Sequence, residues 1–302
     1  MNKDLKHLST GLDISTLNYL RYRLQAAKVP LCLVVAFSSL LGFSLTTGRF
    51  DWQGGLIFLS ILLLACGGAS LNSYQEYRSD RLMERTRRRP VASGLLAPDV
   101  SRRQGQILAG SGLFLLYAGT SSVGAVIAGA VALVLYNGVY TVLKQRSIWA
   151  VFPGAVSGAL PPYIGWLGGG GEPFSALILG VITLLVLWQI PHFWLVMLSY
   201  RADYQRSKIP NLAGMISEST LKSLSIVWVA ALIVVLQTLI AMLSAVPTGL
   251  RITLSITGLA LLIVFTIQMT IQRRPNYRFL FMLLNTFMLY TMALLAVGSV
   301  VM

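Results

Sequence analysis

Residues 52–80 read WQGGLIFLSILLLACGGASLNSYQEYRSD: no charge interrupts the first 24 of them, and Asn72, Glu76 and Asp80 follow at four-residue intervals at the far end. At 1.5 Å per residue, about 20 helical residues cross the ~30 Å of a bilayer's hydrocarbon core, so the apolar part reads as a transmembrane helix. If the helix continues, positions i, i+4 and i+8 share a face, with neighbours about 6 Å apart. Such a segment crosses a membrane and brings an amide and two carboxylates to its surface on one stripe.

The rest of the chain repeats the apolar theme. Of 302 residues, 55% are hydrophobic and 11% charged, and the mean hydropathy is +0.71. Further charge-free runs occupy residues 29–48, 104–143, 147–171, 173–200, 223–250, 252–272 and 279–302. A soluble helix bundle needs polar outer faces, and these runs offer almost none. The longest, 104–143, has a small-residue break at 119–124 and reads as two helices. The expected fold is all-α and integral to the membrane, a bundle of nine transmembrane helices, multi-pass in the cell (inner) membrane.

Cytoplasmic loops retain Lys and Arg. With a cytoplasmic N-terminus, 22 of the 24 basic residues fall inside, only Arg49 and Arg251 fall outside, and the C-terminus emerges outside. The net charge of +14 is then mainly a topology signal. It favours membrane lipid or an anionic substrate as partners over nucleic acid. Cys32 and Cys66 lie in apolar stretches without a CxxC or Cys–His pattern and read as packing residues. No cleavable signal peptide is expected, because the first apolar run begins at Val29, behind a charged leader. In that leader, residues 1–28, Leu17, Leu20 and Leu24 stand at helical spacing beside Arg21 and Arg23, which suits a helix lying on the inner interface. Residues 29–302 form a single polytopic domain.

Two inner loops, at about 72–103 and 200–222, are longer and more polar than connectors require, so function is expected at the inner face. Glu76 and Asp80 at i, i+4 repel unless a cation lies between them. Mg²⁺ shared with substrate phosphate oxygens would supply it. The alternative is a solvated helix end on which both acids pair with Arg78, Arg81 or Arg85. Asp203 in the second loop is a further candidate ligand, although a lone Asp beside basic residues is most often a surface ion pair. Cations at 85–89, 144–146 and 201–208 ring the same layer. Carboxylates surrounded by Lys and Arg suit a diphosphate ester whose departing charge must be held. An allylic diphosphate ionising in an apolar, water-poor cavity is the chemistry that follows.

At these loops the sequence resembles the UbiA superfamily of intramembrane prenyltransferases, and more closely its heme O synthase branch. Asn72-x3-Glu76-x3-Asp80, continuing through Glu84-Arg85-Thr86 to Arg89-Pro90, resembles the first motif. The segment 136–146 with Tyr140, Thr141 and Lys144 resembles the stretch after the fourth helix. The runs 158–166 (GALPPYIGW) and 188–194 (WQIPHFW), with Tyr200-Arg201-x-Asp203-Tyr204 downstream, are similar to runs of that branch. Together these motifs cover about a third of the chain. Glu76 stands where the family usually has Asp, and Arg78 where another Asp is common. Lys28-Val29-Pro30-Leu31 replaces a Lys-Pro-Arg pattern, and Asn211-Leu212-Ala213 replaces Met-Leu-Pro.

The resemblance implies transfer of the farnesyl group of farnesyl diphosphate to a vinyl group of heme B, for oxidase cofactor biosynthesis. Mg²⁺ would be held by Asn72, Glu76, Asp80 and Asp203. The diphosphate would be held by Arg85, Arg89, Tyr140, Lys144, Arg201 and Tyr204. His192 is read either as a heme contact or as a helix-to-helix hydrogen-bonding group. Heme A synthase or a terminal oxidase assembly are the implied protein partners. Two other readings stand beside this one: a UbiA-type enzyme acting on a quinone precursor or a chlorophyll-like acceptor, and a non-catalytic heme-handling membrane protein.

Overall fold

A computed structural model of the chain describes residues 14–201, 216–243, 246–272 and 275–301. Asp203 and Tyr204 lie outside the described residues. The described elements are helices α1 (Ile14–Ala26), α2 (Val29–Thr47), α3 (Trp52–Asp80), α4 (Pro98–Thr120), α5 (Val123–Leu143), α6 (Val151–Gly168), α7 (Ala176–Ser199), α8 (Glu218–Met242), α9 (Thr248–Thr270) and α10 (Tyr277–Val300). Seven of them, α2, α3, α5, α7, α8, α9 and α10, are long and apolar enough to cross a membrane. Helix α4 carries Asp99, Arg102 and Arg103 in its first two turns. Helix α6 holds Pro161 and Pro162 within its length. The long polar loop expected at 72–103 is shorter than anticipated, since α3 stays helical to Asp80 and α4 begins at Pro98.

Each helix from α2 to α10 packs on the next, and α10 returns to α2, which closes a ring. Helix α6 sits deepest: 13 of its 18 residues are buried, although it is not among the seven helices long and apolar enough to cross a membrane. It reaches that position through small residues. A Cβ added to Gly165 would lie 1.9 Å from Ser39 O, and one added to Gly42 would lie 1.7 Å from Pro162 O, so α2 and α6 meet backbone to backbone at that level. Close approach through glycine is the usual way for helices to associate where lipid removes the hydrophobic drive.

The connections α2–α3, α4–α5 and α6–α7 meet at one end of the bundle. There the last carbonyls of α6 accept bonds from three other helices or their caps. Thr46 Oγ1 reaches Trp166 O at 3.5 Å, Gln53 Nε2 reaches Gly168 O at 3.4 Å, and Ser122 Oγ reaches Leu167 O at 3.1 Å. Asp51 caps α3 by accepting from the backbone of Gln53 and Gly54, and Ser122 caps α5. We call this the capped end. The opposite, charged end gathers the C-termini of α3, α5 and α7 with the N-termini of α4, α6, α8 and α10. The break between α4 and α5 falls at Ser121, within the expected stretch, with φ at 51°.

Candidate active site

Helix α3 has 29 residues, about two and a half turns more than ~30 Å of hydrocarbon requires, so its last turns carry Asn72, Glu76 and Asp80 at the charged end. All three are buried, with Ser73 beside them, while Tyr74, Gln75, Tyr77, Arg78 and Ser79 are not. The one-face reading therefore holds. Arg78 is exposed and turns to the Tyr77 hydroxyl at 3.1 Å, so its positive charge does not enter the stripe.

Each member of the stripe meets a cation from a different segment. Lys28 Nζ donates to Asn72 Oδ1 at 2.7 Å. Lys144 Nζ lies 2.6 Å from Glu76 Oε1 as an ion pair. Arg89 Nη1 donates to both oxygens of Asp80 at 3.1 and 2.9 Å. The sequence-local partners Arg78, Arg81 and Arg85 are not the ones chosen. Among the described residues, three cations thus face two carboxylates, an excess of positive charge that suits an anion. A cavity of about 110 Å³ opens among Gln25, Lys28, Ser73, Asp80, Arg89 and Pro90.

Local structure explains these positions. Residues 134–140 of α5 form a π-helical stretch, in which Thr141 Oγ1 bonds back to Tyr136 O at 2.8 Å. Such bulges re-aim the residues that follow them. Thr141 accepts from Asn72 Nδ2 at 3.1 Å, so the Asn72 carbonyl faces Lys28 and its amide faces α5. Asn137 is clamped to Gln75 and to Gly68 O, which ties α5 to α3 one turn deeper. Tyr140 stacks on Tyr136 and lies under Lys144, whose Nζ is 5.3 Å from the ring centroid. Gly154 of α6 admits that ring, because a Cβ there would be 2.8 Å from it. The 81–97 segment is pinned by Thr86 Oγ1 on Asp80 O and Arg81 Nε on Ala92 O, and this returns Arg89 to Asp80.

Lys28 lies just before α2 in a left-handed backbone conformation, φ 51°, which non-glycine residues seldom adopt. Burial pushes its ammonium down to about 8, and Arg89 nearby adds to the effect. Burial also opposes the charge of Lys144, but Tyr140 and Glu76 outweigh it and hold that group above the ordinary lysine value. Sequence reading noted Lys28 only as part of a departing motif. Its signal was a cation immediately before the first apolar run.

A second polar patch lies at the same end. Arg201 Nη1 pairs with Glu218 at 3.1 Å, where Lys222 and Tyr277 also meet. Arg85 and Arg278 both lie 5.6 Å from the ring of Tyr200. Of the expected diphosphate residues, then, Arg89 and Lys144 meet the carboxylate stripe, Tyr140 lies under Lys144, Arg85 lies over the Tyr200 ring, and Arg201 meets Glu218. Among the described residues no group of three or more His, Cys, Asp or Glu could hold a metal ion.

His192 lies within α7, about two turns from its charged end. Its Nδ1 is 2.8 Å from Asn285 Oδ1, and Asn285 Nδ2 donates to Phe281 O at 2.6 Å, which turns the amide oxygen toward the imidazole. Nδ1 is then the donor, and Nε2 carries the lone pair. Trp188, Phe193 and Phe281 surround the ring, with centroids 5.1, 5.6 and 4.7 Å away. Asn285, on α10, was not among the expected site residues, since nothing local to its sequence marks it.

The UbiA prenyltransferase family matches residues 33–297. A protoheme IX farnesyltransferase from Geobacter sulfurreducens is 47% identical over 152 residues, a match that spans 50% of this chain and 55% of that one. One from Nitratidesulfovibrio vulgaris is 32% identical over 80% of this chain and 83% of its own length. Another from Oleidesulfovibrio alaskensis is 35% identical over 75% and 79%. Among solved structures, a UbiA homolog from Archaeoglobus fulgidus bound to GPP and Mg²⁺ superposes with a TM-score of 0.67 at 17% identity, covering 93% of this chain and all of that one. A digeranylgeranylglyceryl phosphate synthase gives 0.73 at 14% identity, covering 94% and 100%. These two likenesses carry the fold, and the sequence matches carry the branch: the chain belongs to the UbiA prenyltransferase family, within its heme O synthase branch.

Proposed function

We propose that this protein transfers the farnesyl group of farnesyl diphosphate to a vinyl group of heme B, making heme O. The observation that carries the reading is the α3 stripe, whose three oxygen-bearing side chains each meet a cation from a different segment. Carboxylate and amide oxygens are hard donors and fit Mg²⁺. Asn72, Glu76 and Asp80 would hold the metal, with Asp203 proposed as a further ligand. Mg²⁺ bound there would neutralise diphosphate charge and make it a better leaving group.

The chain's own residues do the rest. Arg89 and Lys144, each about a third exposed in the side chain, can turn from their carboxylates to diphosphate oxygens. Arg85, Tyr140, Arg201 and Tyr204 are proposed to extend that cradle. The C1–O bond of the farnesyl group breaks with its electron pair leaving on diphosphate, and the heme vinyl carbon bonds to C1. Water then adds to the resulting cation and loses a proton, which leaves a hydroxyethylfarnesyl substituent. The apolar bundle limits premature capture of the allylic cation by water.

His192 is proposed to contact the heme. With Nδ1 committed to Asn285, Nε2 is the atom that would face iron. Nine spans follow if α4 and α6 cross with the seven most apolar helices. A cytoplasmic charged end and an outside C-terminus rest on the distribution of Lys and Arg. Helix α1, with Leu17, Leu20 and Leu24 exposed, is proposed to lie on that interface. Delivery to heme A synthase or an oxidase assembly would follow from the product. Mass spectrometry of hemes from cells with and without the chain tests the proposal. Conversion of heme B to a farnesylated species is expected, and unchanged heme B would end the reading.

A further inference from the structure

Far from the charged end, helices α8 and α9 border an open groove of about 450 Å³, whose lining includes Gln237, Thr248, Arg251, Ile252, Ser255 and Ile256. Its buried polar atoms that lack a partner are both donors. Gln237 Nε2 and Arg251 Nε are buried donors without a partner. The Gln237 oxygen is already engaged, because Ser255 Oγ lies 2.8 Å from it. No Asp or Glu occurs in residues 219–302, and Glu218, the first residue of α8, is paired with Arg201 and Lys222 at the charged end, so neither helix supplies a counter-ion at the groove. An unsatisfied buried donor is destabilising, more so when it is charged. A ligand that carries negative charge and only acceptors would remove that cost. The groove also lies at the first two turns of α9, where the positive end of the helix dipole favours an anion.

The surroundings select which anion. Ile252 and Ile256 at the lip are 53% and 61% exposed, and Leu259 and Ile263 continue the same exposed stripe along α9, on a helix apolar enough to cross a membrane. An anion that reaches the groove therefore does so beside hydrocarbon. We infer that the α8–α9 groove binds the phosphodiester of a membrane phospholipid in the leaflet at the capped end. Arg251 and Gln237 donate to its phosphate oxygens, and an acyl chain lies along Ile252, Ile256, Leu259 and Ile263. The site is separate from the carboxylate stripe and does not depend on the proposed reaction.

Native mass spectrometry of the delipidated full chain tests it, with phosphatidylglycerol and a phosphate-free diglycosyl diacylglycerol as probes. Wild-type protein should retain phosphatidylglycerol about tenfold more strongly than the glycolipid. Gln237→Glu sets a carboxylate beside Arg251, keeps the packing and should erase that preference. Arg251→Gln should erase it as well. Arg49→Gln, which removes the other basic residue at this end, should not, because Arg49 is already paired with Asp51 at 2.7 Å. Equal retention of both lipids by the wild type would overturn the inference. So would an unchanged preference in Gln237→Glu and Arg251→Gln, with helicity by circular dichroism intact. Displacement of the lipid by inorganic phosphate would reassign the groove to a soluble anion and end the lipid proposal.

Discussion

The two ends of the bundle are held together by opposite means. Toward the capped end, backbone is met directly: Gly42 packs on the Pro162 backbone and Gly165 on that of Ser39, and the last carbonyls of α6 accept from the side chains of Thr46, Gln53 and Ser122. At the charged end, side chain meets side chain through Lys28–Asn72, Lys144–Glu76 and Arg89–Asp80. Close-packed backbone has no substitute for its partner. An ion pair can exchange its partner for another charge. The difference teaches why one end acts as a fixed seal while the other can receive a charged substrate without unfolding.

The largest effect should come from breaking the seal. Gly42→Val puts side-chain atoms where Pro162 O now lies, and overpacking against backbone belongs to the tail of substitutions costing more than about 4 kcal/mol. Size-exclusion profiles of the solubilised protein should show loss of the folded species. A normal profile and melting curve would contradict the close crossing.

At the charged end the same severity should fall on catalysis and spare the fold. Asp80→Ala should lower farnesyl transfer at least about 100-fold while the thermal melt moves little, because Arg89 can turn to solvent once its partner is gone. Removal of divalent metal by chelation should produce the same loss in the wild type. Near-normal turnover in Asp80→Ala would take that residue out of the site.

Lys28→Met should act in the same region but more weakly. It removes one cation facing the cavity, and an increase in the KM for farnesyl diphosphate of about tenfold is expected, with kcat changed less. An unchanged KM would confine Lys28 to orienting Asn72.

His192→Ala separates acceptor from donor. Heme affinity should fall about tenfold and the Soret band should shift, while farnesyl diphosphate affinity stays as it was. Unchanged heme binding and spectrum with lost activity would end the ligand assignment.

The smallest effect should come from trimming the seal without opening it. Trp166→Phe removes one donated bond, from Nε1 to Glu172 O at 2.9 Å, and should cost about 1 kcal/mol in unfolding free energy with transfer unchanged. Loss of transfer in that variant would mean that the two ends are coupled.

By itself the sequence determined what transfer free energy and helical period determine. Long charge-free runs demand lipid, a spacing of four puts Asn72, Glu76 and Asp80 on one face, and the small residues at 119–124 break a run too long for one helix. These are local properties, and each was legible. Partners were not, because pairing depends on which segments meet in space. Sequence proximity offered Arg78, Arg81 and Arg85 to the acids, but Arg78 points off the stripe and the pairs formed are with Lys144 and Arg89. Likewise Asn285 stands 93 residues from His192, and only the packing of α10 on α7 joins them. The π-helical turn at 134–140 that aims Thr141 at Asn72 left no mark in composition. Helix α6 became the most enclosed helix through glycine contacts, although hydropathy did not single it out. The tertiary structure decided which charge meets which, since that outcome depends on distances of a few ångströms between segments far apart in the chain.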